Sequence, residues 1–148
     1  MTWIKQNGCC AAYISAHEFH CKEWVMQYAR LKADNAGESH FEQAKLDLNE
    51  ADYRPPAPIL FVSHSYSADG LQFIRLPSGW TGESIHPPKA QFLICLKGHL
   101  EVTASDGHKR TFGPGDSVLM EDVSGKGHRT HVKGAEECIA AVIPIASR

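Results

Sequence analysis

The stretch FGPGDSVLMEDVSGKGHRTHV, residues 112–132, decides the fold of this chain. It opens on a Gly-Pro-Gly-Asp turn, passes through DSVLME (116–121), turns again at SGKG and leaves through HRTHVK (128–133). Both runs are short and bounded by Gly and Asp, as strands are rather than helices. Side chains on a strand alternate between faces. His128, Thr130 and Val132 then share one face, while Arg129, His131 and Lys133 share the other. The charged face meets water, so His128 is predicted to point inward and His131 to lie at the surface. GPGD (113–116) reads as a turn between strands and not a phosphate cradle, because no helix follows it.

Working outward, the same pattern repeats. ILFVS (59–63), LQFIRL (71–76), QFLICLK (91–97), HLEVTA (99–104), KRTFG (109–113) and ECIAAVIPI (137–145) are β-type runs. SADG, PSGWTG, KG, SDG and KGAEE separate them with turn chemistry. Strands this short and closely spaced read as an antiparallel sandwich or barrel. Before them, YRPPAPIL reads as an extended linker, since Pro55, Pro56 and Pro58 forbid regular hydrogen bonding. Upstream, Cys21, Trp24, Tyr28 and Leu31 fit helical spacing, whereas Trp24, Met26 and Tyr28 alternate as a strand would. The turn ADNAGES and the period-two HFEQAKLDL behind it favour a hairpin over 24–50, with a helix over 16–31 as the other reading. His40 shares a face with Ala44 and Leu46, which would turn it toward the barrel. Residues 1–23 read as an N-terminal extension without clear periodicity.

Composition narrows the function. A chain of 148 residues suggests one domain with a real core. The net charge is −2 and no Lys/Arg stripe stands out, so nucleic acid is not an expected partner. The longest apolar run, FLICL (92–96), is far too short to cross a bilayer. MTWIKQNGCC lacks a charged segment ahead of a long apolar one, so no secretory leader is expected. The five cysteines are odd in number and form no C-x-x-C pair, which argues against a disulfide framework and a zinc knuckle. Cys95 and Cys138 sit in apolar runs and read as buried free thiols. Cys9, Cys10 and Cys21, near His17 and His20, match no zinc spacing. A reducing, cytoplasmic setting fits this usage. No Ser/His/Asp arrangement can be defended from spacing.

Two stretches resemble a known family. SIHPPKAQFLICLKGHLEV (84–102) resembles the first motif of the cupins, an H-x-H pair followed by a glutamate and a closing glycine. Residues 112–132 resemble the second, a P-x-G followed by a histidine and an asparagine, often with P-G-D ahead. The likeness is strongest to small bacterial cupins, which carry a preceding hairpin. It implies an all-β, double-stranded β-helix (cupin jelly-roll barrel) preceded by an N-terminal β-hairpin. The domain would span 24–148, with the hairpin at 24–50 and the barrel at 57–145.

Anchored on Gly98, the register puts Ser84 and His86 at the two histidine positions and Gln91 at the glutamate. His128 follows Gly125 at the place of the later histidine, and Val132 stands where the asparagine would be. The resemblance therefore implies Ser84, His86, Gln91 and His128 as ligand-binding residues, and His86, Gln91 and His128 as ligands for one divalent transition metal (Fe, Mn, Ni, Cu or Zn). Serine for histidine and glutamine for glutamate weaken that donor set, because a neutral amide leaves the ion's charge uncompensated. Glu83 and Glu121 are the nearby carboxylates that could compensate. Each histidine can equally be a hydrogen-bonded pocket residue able to do acid–base work. His64, His99 and His108 read as surface residues, Tyr28 and Trp80 as packing residues. Lys126 reads as an exposed loop lysine, or as a contact for an anion at the barrel mouth. Three function classes stay open. One is a metal-dependent enzyme of dioxygenase, isomerase or lyase type acting inside the barrel, another is a metal-free ligand-binding or sensing module, and the third is a structural or partner-binding protein with the N-terminal hairpin as its docking element. The partner in the first two is a small-molecule ligand or substrate. Cupins commonly pair through exchanged edge strands, so a homodimer is also implied.

Overall fold

Alternating side chains and tight turns make every described element a strand. The computed structural model describes residues 2–3, 25–52 and 54–146. The readings on Cys9, Cys10, His17, His20, Cys21 and Trp24, and the start of the alternative helix, lie outside the described residues. From its described part, the expected N-terminal extension contributes β1 (Thr2–Trp3), which pairs with β2.

The hairpin is present. β2 (Val25–Ala33) and β3 (Ser39–Asp47) pair antiparallel along their whole length, from Val25↔Asp47 to Ala33↔Ser39. Their turn is closed by Asp34, whose Oδ1 accepts the N–H groups of Ala36 (2.8 Å) and Glu38 (2.9 Å). An aspartate doing this copies a backbone turn, which is why ADNAGES ends one strand and starts the next.

After the hairpin come β4 (Asn49–Ala51), β5 (Leu60–Val62), β6 (Gln72–Leu76), β7 (Thr81–Ile85), β8 (Gln91–Lys97) and β9 (His99–Ala104). They are followed by β10 (Lys109–Phe112), β11 (Ser117–Glu121), β12 (His128–Lys133) and β13 (Cys138–Pro144). One seven-stranded sheet runs β1-β2-β11-β8-β13-β6, with β3 on β2. A four-stranded sheet runs β10-β9-β12-β7. β2 joins β11 in parallel, so the hairpin is built into the barrel wall.

The core lies between the two sheets. Leu31, Leu93, Val118 and Val142 come from the first sheet and Leu100, Val102 and Val132 from the second, all buried. Burying each such side chain contributes roughly 1.5–3 kcal/mol. A second, smaller cluster of Tyr28, Leu46 and Leu119 covers part of the outer face of the large sheet, with Phe92 and Tyr66 against it. Burial and a contact with the Tyr66 hydroxyl (3.4 Å) push the Tyr28 phenol up to about 12.

Three expectations change. Thr81 and Gly82, expected in the turn PSGWTG, instead begin strand β7, which pairs with β12. From Arg54 on, the expected linker is not extended: it turns, with the Ala57 N–H donating to Arg54 O (2.8 Å), and β4 and β5 pair as a separate ribbon. His40 does share a face with Ala44 and Leu46, but that face belongs to the outer cluster and not to the barrel interior.

Candidate functional site

The alternation read from HRTHVK holds. His128, Thr130 and Val132 are buried, while Arg129 and Lys133 are exposed and His131 is half-buried beside Thr81. His128 is only 3% exposed and opposes Ala104 on one side and Ile85 on the other.

A buried imidazole needs a partner, and Asp122 supplies it. His128 Nδ1 lies 2.6 Å from Asp122 Oδ2, with the side chains 2% and 0% exposed. An ionised carboxylate only accepts, so Nδ1 carries the proton and donates it. That fixes the ring's orientation and leaves Nε2 with no hydrogen bond among the described residues. Asp122 Oδ1 is buried without a hydrogen-bond partner among the described residues. Such an atom costs about 1–3 kcal/mol if left unmet. Asp122 was missed in the sequence, although the signal was there: Val118 and Met120 face inward, and the next residue in that alternation is Asp122. The carboxylates first considered are engaged elsewhere. Glu121 bonds Arg30 (2.8 Å and 2.6 Å), and the exposed Glu83 bonds Arg129 (2.9 Å).

His86 approaches the same residue from the β7 side. Its Nδ1 lies 3.4 Å from the Asp122 carbonyl oxygen, and the residue is exposed. Asp122 thus touches both histidines, one through its backbone and the other through its side chain. Ser84 is exposed and takes a positive φ of 49°, which bends the chain ahead of His86. Gln91 is half-buried at the start of β8 and opposes Met120 and Pro144. It shares the inner face with Leu93 and Cys95.

The loop between Asp122 and His128 is shaped by two glycines. Gly125 has φ +90°, and a Cβ there would meet Gly37 O at 2.5 Å. Gly127 has φ +73°, and a Cβ there would meet Ile85 O at 2.6 Å and the His86 ring at 3.0 Å. Neither position accepts a side chain. The loop therefore runs in close contact with the hairpin turn on one side and the end of β7 on the other.

Other candidates take structural places. Lys126 pairs with Glu38. His40 sits between Asp106 (2.7 Å) and Asp34 (3.0 Å), whose hydrogen bonds raise its pKa. Cys95 and Cys138 are buried free thiols. Burial pushes the Cys95 thiol up to about 12 and raises that of Cys138, so neither offers a thiolate near neutral pH.

A family metal site needs converging imidazoles and a carboxylate. Among the described residues, no three His, Cys, Asp or Glu side chains come together to hold a metal. The motif positions hold a hydroxyl, two imidazoles and an amide, and Asp122, the one buried carboxylate among the described residues, binds His128 through Oδ2. The motif positions supply no carboxylate, so this donor set leaves a divalent ion's charge uncompensated and fits one poorly.

The two packed sheets, with His128 on the inner wall and Asp122 on the adjoining loop, make a small all-β barrel. Residues 72–144 match the family model for the Cupin domain, and the chain is a small protein of the cupin superfamily. No curated protein matches it. Among solved structures it is similar to a Cupin 2 conserved barrel domain protein from Salinispora arenicola, with 19% identity over 66% of this chain and 73% of that one, and a TM-score of 0.43. A sugar phosphate isomerase of the cupin superfamily from Silicibacter pomeroyi is similar at 19% identity, over 55% of this chain and 52% of that one, with a TM-score of 0.45. A cupin domain of an XRE family transcriptional regulator from Enterobacter cloacae is similar at 20% identity, over 53% and 81%, with a TM-score of 0.42.

Proposed function

We propose that this cupin binds a small molecule at the His128 end of its barrel without a resident metal. The supporting observation is the buried His128–Asp122 pair, which orients Nε2 and leaves Asp122 Oδ1 without a partner among the described residues. Nε2 accepts a hydrogen bond from a ligand hydroxyl or amide, and donates one when the ring is protonated. His86, Gln91 and Ser84 supply the remaining polar contacts. The ligand is a small polar molecule, and the pair gives the site acid–base capacity if a reaction follows.

A thermal-shift screen of EDTA-stripped protein against polar small molecules tests this reading, since a ligand bound only by the folded state raises apparent stability. Stabilisation that disappears in His128→Ala supports it. Stabilisers that act equally on His128→Ala contradict it.

The second reading is a metal-dependent enzyme of dioxygenase, isomerase or lyase type with His86, Gln91 and His128 as ligands. One observation favours it: a carboxylate on the far nitrogen is how metal-binding imidazoles are commonly held. The proposal also takes the protein as a cytoplasmic homodimer. The free thiols of Cys95 and Cys138 support a reducing compartment. Phe73 is 68% exposed on the outer face of the large sheet, the kind of surface a second copy would cover. Light scattering that gives a monomer would remove the dimer from the proposal.

A further inference from the structure

Asp122 and His128 are the two ends of one loop, and hydrogen bonds tie that loop to the β2–β3 hairpin. The Lys126 N–H donates to Gly37 O (2.8 Å). Gly37 and Gly125 meet backbone to backbone, with a Cβ at Gly37 only 3.1 Å from Gly125 Cα. Ser39, fully buried, donates from Oγ to Gly127 O (3.0 Å) and accepts the Ser105 N–H on the same oxygen (2.6 Å). Ser105 Oγ accepts the Ser39 N–H in return (2.7 Å). One hydroxyl thus fastens three segments: the hairpin, the turn after β9, and the residue preceding His128. The Lys126–Glu38 ion pair lies over this junction at the surface.

We infer that the β2–β3 turn is the positioning element of the site, acting through Ser39 and the Gly37–Gly125 contact to hold Asp122 against His128. The barrel supplies His128 from β12, but Asp122 lies beyond the end of β11, outside the ladder. Its distance from His128 therefore depends on the path of residues 123–127, and the hairpin fixes that path. Ser39 and Gly37 are positioning residues and touch no ligand. Only the consequence for ligand affinity rests on the binding function proposed above.

The test reads the ring nitrogens of His128 by NMR in the ligand-free, full-length protein labelled with 15N-histidine. The wild type is expected to show one tautomer, with a slowly exchanging Nδ1 proton. Ser39→Ala removes the shared hydroxyl. Gly37→Ala disturbs the contact from an exposed turn, so it keeps the test valid if Ser39→Ala fails to fold. In each folded variant the Nδ1 proton should exchange about tenfold faster or more, in line with one lost hydrogen bond, while the β9 and β12 amides stay protected. Lys126→Ala, which removes only the surface ion pair, should leave the proton unchanged. A His128 signal unaltered in Gly37→Ala would overturn the inference, as would a general loss of β9 and β12 protection in step with it. Because no ligand is present, failure to find one leaves this result standing, and an unaltered signal leaves the binding proposal open to its own screen.

Discussion

The inner layer of the barrel and the tip of the hairpin hold the molecule by different means. The inner layer is apolar: Leu31, Leu100, Val102, Val118 and Val132 have no measurable exposure. The tip is polar: Asp34, Glu38, Ser39 and His40 each make a specific hydrogen bond or ion pair, Glu38 with Lys126 of the facing loop. Burial is strong but non-directional, so it fixes which sheets face each other. Hydrogen bonds are weaker but directional, so they fix where one loop lies. The candidate site stands where the two meet, with His128 on the barrel wall and Asp122 on the tethered loop.

This contrast can be broken from the barrel side first. Leu100→Ala should cost about 2–5 kcal/mol, read by urea unfolding. The His128 ring signals of the molecules that remain folded should be unchanged, because the cavity lies in the apolar layer. Asp122→Ala should cost less, about 1.5–3 kcal/mol, since it removes a hydrogen bond to a charged group. It should nevertheless release the His128 ring, which NMR would show as mixed tautomers. An Asp122→Ala protein with an unchanged His128 ring would mean that the carboxylate does not orient it.

The tip should respond to pH where the barrel does not. The hydrogen bonds of Asp34, and then Asp106, raise the pKa of His40 in the folded state. Its contribution is therefore fully present below the ordinary imidazole value and is lost as pH rises through the raised one. Amide exchange over residues 34–40 should quicken across that window, and His40→Gln should flatten the dependence. The smallest effect belongs to the exposed Arg129–Glu83 pair (2.9 Å). Arg129→Ala should change stability by about 0.5 kcal/mol or less.

Much of the fold was legible because its signals are local. Turn glycines and period-two runs located most of the strands, and alternation alone turned His128 inward. What failed has a shared cause. β7 carries little apolar alternation in TGESI and hides beside the PSGW turn. His40 lies on the face that alternation gave it, but the large sheet has apolar side chains on both faces, and period two does not say which face is the interior. Asp122 follows the inward alternation of β11, yet a charge next to Glu121 reads as solvated surface until its partner is known. Partners such as Ser39 and Gly127 are distant in sequence and leave no local trace.

Asp122 is proposed above to hold His128 for a ligand and not for a metal. Metal titration of EDTA-stripped protein with Fe, Mn, Ni, Cu and Zn, run beside His128→Ala, tests it most directly. No stoichiometric uptake that distinguishes the two proteins is expected. One ion bound per chain by the wild type and lost in His128→Ala would contradict it.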